Sequence, residues 1–210
     1  MDLRRRLRER LPVAAIAAML LTLTIGAPDA PATIAEQRAR LPPAAECSSP
    51  VTGKWKALSF DERRGQWYEF VLEVRQDPKD ESQLSGMIYV DMWDGPPNSP
   101  EPPTPCQHRY KGKMDGSGRF TNGEVQFGGA NFQLVEEICG GMYGYNPDNF
   151  TGKLQPELNE FQSVNNDGGA AVNEPTVFRR IGCFDDSRKD PSASDVKPPP
   201  FFPHKQSSGC

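Results

Sequence analysis

Two histidines, five cysteines and a scatter of carboxylates are the side chains through which this 210-residue chain could do chemistry. A serine–histidine–carboxylate triad needs a histidine beside an activated hydroxyl. Only His108 and His204 exist, and no Gly-x-Ser-x-Gly turn accompanies them. His204 falls in a polar C-terminal stretch, and His108 reads as an ordinary strand residue. Asp91, Asp94 and Asp148 would form a glycoside-cleaving pair only if two of them were held about 5 to 9 Å apart. Nothing in their spacing brings them together, so they read as solvated strand ends. Asn146, Asp148, Thr151 and Gly152 offer oxygen ligands but miss the spacing of a twelve-residue calcium loop. No catalytic residue, metal ligand or cofactor is assigned, and the chain is read as a non-enzyme. Asn149-Phe150-Thr151 is an N-glycosylation sequon.

The cysteines carry a covalent rather than a catalytic message. Cys47, Cys106, Cys139 and Cys183 show neither a C-x-x-C spacing nor a cysteine–histidine cluster, which argues against zinc and for disulfides in an oxidising compartment. Four cysteines allow three connectivities. Cys210 is left over near the end of a polar tail.

The elements that must position these groups are strands. Residues 66–76 alternate, with Tyr68, Phe70, Leu72 and Val74 on one face and Trp67, Glu69, Glu73 and Arg75 on the other. Residues 83–93 do the same, with Leu84, Ile88, Val90 and Met92 opposite Met87, Tyr89, Asp91 and Trp93. Further strands are expected at 51–60, 149–155, 158–165 and 176–183. Asn122-Gly123 predicts a type I′ hairpin between two more. An unbroken hairpin there sets Cys106 opposite Cys139, near enough for a disulfide. The apolar pattern favours a one-residue slip at Gly128-Gly129, which pairs Met114 with Phe132 and His108 with Ile138; Asp115-Gly116-Ser117-Gly118 offers a competing turn. Eight antiparallel strands can close by pairing the last with the first. Because the count is even, Cys47 and Cys183 then lie at the same end, and a bond between them staples the seam.

Residues 94–105 carry six prolines, which exclude a helix and a central strand, so they form an extended loop. At the N-terminus, Arg4, Arg5, Arg6, Arg8 and Arg10 precede an uncharged stretch, 11–27, and then small residues. That order is a secretory signal or an uncleaved anchor, and it places everything after residue 30 outside the cytoplasm, secreted or periplasmic. Residues 1–30 hold five of the 24 basic residues and only three of the 28 acidic ones, so the remainder is more acidic than the net −4 of the whole. Nucleic acid is therefore not an expected partner, and a membrane is one only if the N-terminal segment stays attached.

Thr52-Gly53-Lys54-Trp55, preceded by Cys47 and followed on the last strand by Arg179 or Arg180, resembles the ends of the calycin superfamily of small antiparallel barrels, which includes lipocalins, fatty-acid-binding proteins and avidins. The resemblance implies an up-and-down eight-stranded barrel in which Trp55, beside Gly53, closes one end and an arginine packs over it. It departs from avidin where function lies: Lys56-Ala57 follows the tryptophan, and Ser85-Gly86-Met87-Ile88 lacks the avidin pocket pattern, so biotin is not implied.

The sequence thus predicts an all-β protein: a signal or anchor over 1–30, a linker over 31–46 with a helical turn near 34–41, a barrel over 47–184, and a disordered proline-rich tail over 185–210. The function expected is binding of a small apolar or amphipathic ligand, with Trp67, Tyr89, Trp93, Tyr143 and Tyr145 as its contacts. The alternative is a component of a secreted or envelope assembly that meets a protein partner through 94–105 and the tail.

Overall fold

A computed structural model describes residues 34–102, 108–140, 144–166 and 175–184. Eight strands, β1 (Gly53–Asp61), β2 (Gln66–Gln76), β3 (Gln83–Asp94), β4 (Arg109–Thr121), β5 (Glu124–Ile138), β6 (Asn149–Gln155), β7 (Glu160–Asn165) and β8 (Pro175–Gly182), form a closed antiparallel barrel in sequence order. A helix, α1 (Ile34–Arg40), precedes them.

Period-two alternation sorts the residues into a barrel interior and a wall. Trp55, Phe70, Phe150, Phe161 and Phe178 fill the centre: Phe161 stacks on Phe178 at 4.9 Å, and Phe150 meets both Phe178 at 4.8 Å and Phe70 at 5.1 Å. An eight-stranded barrel has room for little more than its own side chains at this depth.

The β4–β5 hairpin turns at Asn122 and Gly123, with φ of 53° and 75°, the positive pair that a type I′ turn needs. Its register runs unbroken through Gly116↔Gly129 to Asp115↔Ala130 and then slips twice, opposite Met114 and again between Lys111 and Gly112. The expected slip at Gly128-Gly129 is therefore displaced: the left-handed residue is Asn131, φ 54°, whose side chain donates to Asp115 at 2.9 Å. The double slip pairs Arg109 with Ile138, so His108 does not face Ile138 as expected. The strand expected at 51–60 begins at Gly53, and the one expected at 158–165 begins at Glu160 because Pro156–Leu158 forms a 3₁₀ turn ahead of it.

The seam is narrow. β1 and β8 pair only at Lys54↔Gly182, Trp55↔Arg180 and Lys56↔Arg179. Cys47 and Cys183 are bonded beside it, with Cα atoms 5.5 Å apart. Where β8 leaves β1, the Gln37 side chain takes the strand's place: its Nε2 donates to the Pro175 carbonyl and its Oε1 accepts the Val177 N–H, both at 2.9 Å. The segment read as a linker is thus an ordered element whose helix packs on the wall. Leu41 and Ile34 join Leu58, Trp67, Trp93 and Val177 in a second apolar cluster outside the barrel.

Glu160, 2% exposed, ties this strap down by accepting from Arg38 Nε at 2.6 Å and from Arg179 Nε at 2.9 Å. Removing one partner of a buried ion pair strands the others, whereas an exposed pair such as Lys54–Glu73 contributes little. Glu160→Gln should lower the unfolding free energy by about 3–5 kcal/mol and Glu73→Gln by under about 1 kcal/mol, as read by urea unfolding monitored by tryptophan fluorescence.

Candidate functional site

The two ends of the barrel are built differently. At one end, the Arg180 guanidinium lies 5.2 Å from the centre of the Trp55 ring and donates to the Ser49 carbonyl at 2.6 Å and to the Asn159 side chain. Trp55 Nε1 donates to the Val51 carbonyl at 2.9 Å. A Cβ on Gly53 would come within 2.8 Å of both Arg180 Cδ and the Gly182 carbonyl, so only glycine fits there. Burial pushes the Arg180 pKa down; carbonyl and amide oxygens accept from its two terminal nitrogens, while its Nε is buried without a partner. This end is a plug. Of the two arginines considered for it, Arg180 occupies it; Arg179 points outward to Glu160 and to the Leu41 and Pro42 carbonyls.

At the opposite end, polar and aromatic side chains from six stretches of chain converge. Arg64, in the β1–β2 turn, donates to the Tyr68 hydroxyl at 3.3 Å, and Tyr68 donates to Gln66 at 3.0 Å. Gln66 Nε2 donates to Asp94 at 2.9 Å, and His108 Nδ1 lies 3.6 Å from the same carboxylate. His108 packs edge-on against Tyr110 at 6.3 Å, and Tyr110 against Tyr145 at 5.9 Å and 77°. Tyr145 stacks on Phe132 at 4.5 Å and donates to Asp148, whose other oxygen accepts from Asn165 at 3.0 Å. Strand parity delivers these groups: Tyr68 and Tyr110 sit on the interior face near strand ends, and the β5–β6 connection supplies Tyr145 and Asp148.

Burial raises the pKa of Tyr68 and Tyr110, and the Asp148 charge adds to the effect. Tyr145 is raised further by burial and by the adjacent Asp148 carboxylate. All three phenols are therefore neutral at physiological pH.

The aromatic residues expected as ligand contacts are not brought together. Trp67 and Trp93 form a cross-strand pair on the outer wall, buried beneath the α1 strap, with Arg40 4.9 Å over the Trp67 ring. Trp67 Nε1 donates to the Pro96 carbonyl at 3.0 Å, which fixes the start of the proline-rich loop. Tyr89 stands on the outer face of β3, 38% exposed. Tyr145 alone of the group joins the interior cluster; Tyr143 and Cys106 lie outside the described residues. Cys139 follows β5 with φ 58°. Tyr68 and Tyr110, missed as site residues in the sequence, could have been flagged as tyrosines at core-parity positions beside the barrel's longer connections.

A separate depression of about 510 Å³ on the outer wall, bordered by Gln83, Arg119, Gln126 and Asn149, is broad and open to solvent. Compared with protein-family models, curated proteins and solved structures, the chain matches none of them.

A phenol whose folded pKa is raised stays protonated while its unfolded counterpart ionises. The stability it contributes is complete below the ordinary tyrosine value of about 10 and is lost as pH rises beyond it. Tyrosinate absorbance should therefore remain well short of five residues per chain until the protein unfolds in alkali, with the unfolding free energy falling above pH of about 10. Full ionisation of the native fold near pH 10 would contradict the buried arrangement.

Proposed function

We propose that this chain is an exported binding protein that takes a small amphipathic ligand at the Tyr68–Tyr110–Tyr145 end of its barrel. The observation that carries the reading is the concentration of buried polar groups there. Asp61, Asp148, Ser163, Asn165 and Thr176 are all under a tenth exposed and sit toward the same end, above a centre filled by phenylalanines. Asp148 holds Tyr145 and Asn165, while His108 Nε2 at the same end is buried without a hydrogen-bond partner, at a cost of about 1–3 kcal/mol. Phenols offer both an apolar body and a hydrogen-bonding tip, which suits a ligand with the same two-part character. Because the phenylalanines occupy the centre, the ligand is held at the mouth rather than deep inside. The Cys47–Cys183 disulfide supports an oxidising destination, secreted or periplasmic, in keeping with the N-terminal signal pattern.

The filled centre also favours a second reading, in which the barrel is a rigid body and the proline-rich loop and tail engage a protein partner. The two differ in what co-purifies. Native mass spectrometry of the full chain from an oxidising host should show the disulfide-bonded polypeptide plus one defined small molecule, with the excess mass absent in Tyr110→Ala. A co-purifying protein lost on deletion of residues 185–210, with no small-molecule excess, would replace the first reading with the second.

A further inference from the structure

We propose that the outer wall carries a second site, separate from the mouth and independent of the reading above, that takes a neutral saccharide unit of a glycan. The site is the depression of about 510 Å³, a size within the range of about 300–1,000 Å³ over which proteins hold small molecules. Two rows of opposed residues shape it. Ser85, Ser117, Gly128 and Asn149 stand side by side across β3–β6, and Gln83, Arg119, Gln126 and Thr151 form the row next to them. Both rows face away from the interior that Leu84 and Phe127 fill. The short side chains of the first row sink a trough beside the taller second one.

Gly128 is the residue there that the fold alone does not explain. A Cβ on Gly118, also in the lining, would come 1.9 Å from the Gln126 carbonyl oxygen, and one on Gly129 2.6 Å from Met114 Sδ, so packing demands both glycines. At Gly128 the nearest atom would be Asn149 Oδ1 at 3.4 Å, an ordinary contact, and the backbone is not left-handed. A glycine inside a strand weakens it and marks a bulge, a tight bend or the close approach of a ligand or another backbone. Gly128 pairs in regular register with Ser117 on one side and Asn149 on the other, so no bulge sits there. The slips that kink this hairpin lie past Asp115↔Ala130 instead. What remains is an approach from outside, onto bare backbone.

The lining selects the ligand. Ser117 and Asn149 are exposed, and Gln126 keeps its carbonyl oxygen after its Nε2 donates to Glu124 at 3.1 Å. A hydroxyl and a carboxamide can each donate and accept, as every sugar hydroxyl does. Charge favours neither sign, because Arg119 and Lys153 are met around the trough by Asp80, Asp115 and Glu124. A pyranose ring is flat enough to lie against the Gly128 backbone with its hydroxyls directed outward, where Ser117, Gln126 and Asn149 stand.

The test is NMR titration of the isotope-labelled full chain with four neutral tetrasaccharides, built from glucose, mannose, galactose or N-acetylglucosamine, and with tetragalacturonate as an anionic counterpart. At least one neutral sugar should give saturable shifts centred on the Ser117, Gln126, Gly128 and Asn149 amides, with a Kd of about 1 mM or tighter. That affinity should hold between about 0.05 and 0.5 M salt. Gly128→Val should fold with a urea midpoint no lower than the parent's and lose at least about tenfold in affinity. Gln126→Ala should weaken binding without moving the midpoint. No saturable shift at these amides with any neutral sugar would overturn the proposal. So would tighter, salt-sensitive binding of tetragalacturonate, which would make the trough an anion site. A destabilised Gly128→Val chain would return Gly128 to a packing role, and one that binds sugar like the parent would place the site elsewhere; either result overturns the assignment. None of these outcomes bears on the mouth, whose ligand is read by mass.

Discussion

Closing the barrel is the constraint on which the rest of this structure depends. Seven of its eight strand pairings join neighbours in sequence, so each closes a loop far shorter than the domain. The eighth, between β1 and β8, joins the two ends of the domain and has only three backbone pairings to do it. The chain reinforces that contact with bonds of other kinds. The disulfide spans a sequence separation of 136 residues, a long loop whose cross-linking limits the unfolded ensemble by about 2–5 kcal/mol. Gln37 fills the gap in the ladder with its side-chain amide, whose two hydrogen-bonding groups match those of a peptide bond. Glu160 anchors the segment that carries Gln37.

This closure separates the ends into two roles. The end near Cys47 is sealed by Trp55 and Arg180 and served by tight connections, among them the Asn122-Gly123 turn and a single 3₁₀ turn before β7. The opposite end has the longer connections and gathers tyrosines, carboxylates and a histidine. With the centre filled by phenylalanine rings, the proposed ligand site is confined to this end.

Much of the wall was legible in the sequence. Gln66–Gln76 and Asn149–Gln155 were readable to the residue because alternation there is unbroken and turn residues bound both ends. The seam disulfide, one of three possible connectivities, was favoured by strand parity together with the oxidising compartment that the cysteine spacings suggest. What could not be read depends on distant contacts. Gln37 meets residues 138 and 140 positions away, so a helix that looks like a linker locally becomes part of the wall only when the barrel exists. Trp67 and Trp93 sorted correctly to the face opposite Phe70 and Val90, but periodicity does not say which face is inside when both carry large apolar groups. The bulge was misplaced because glycines drew attention to Gly128-Gly129, while Asn131, which also tolerates a left-handed backbone, carried the slip. The mouth was the least legible part: Tyr68 and Tyr110 occupy core-parity positions, and only three-dimensional register shows that they meet Tyr145 and Asp148.

The most direct test of the central claim, that a side chain completes the strand ladder at the seam, is hydrogen exchange at the Val177 amide in the Gln37→Ala chain. Its N–H is bound by the Gln37 side chain in the intact protein. The structure predicts that protection at Val177 falls by at least about tenfold while the β2–β3–β4 amides keep theirs, local opening being separable from global unfolding. Val177 protection that survives the substitution unchanged would mean that another group, or a longer β1–β8 ladder, closes the barrel, and would contradict this account.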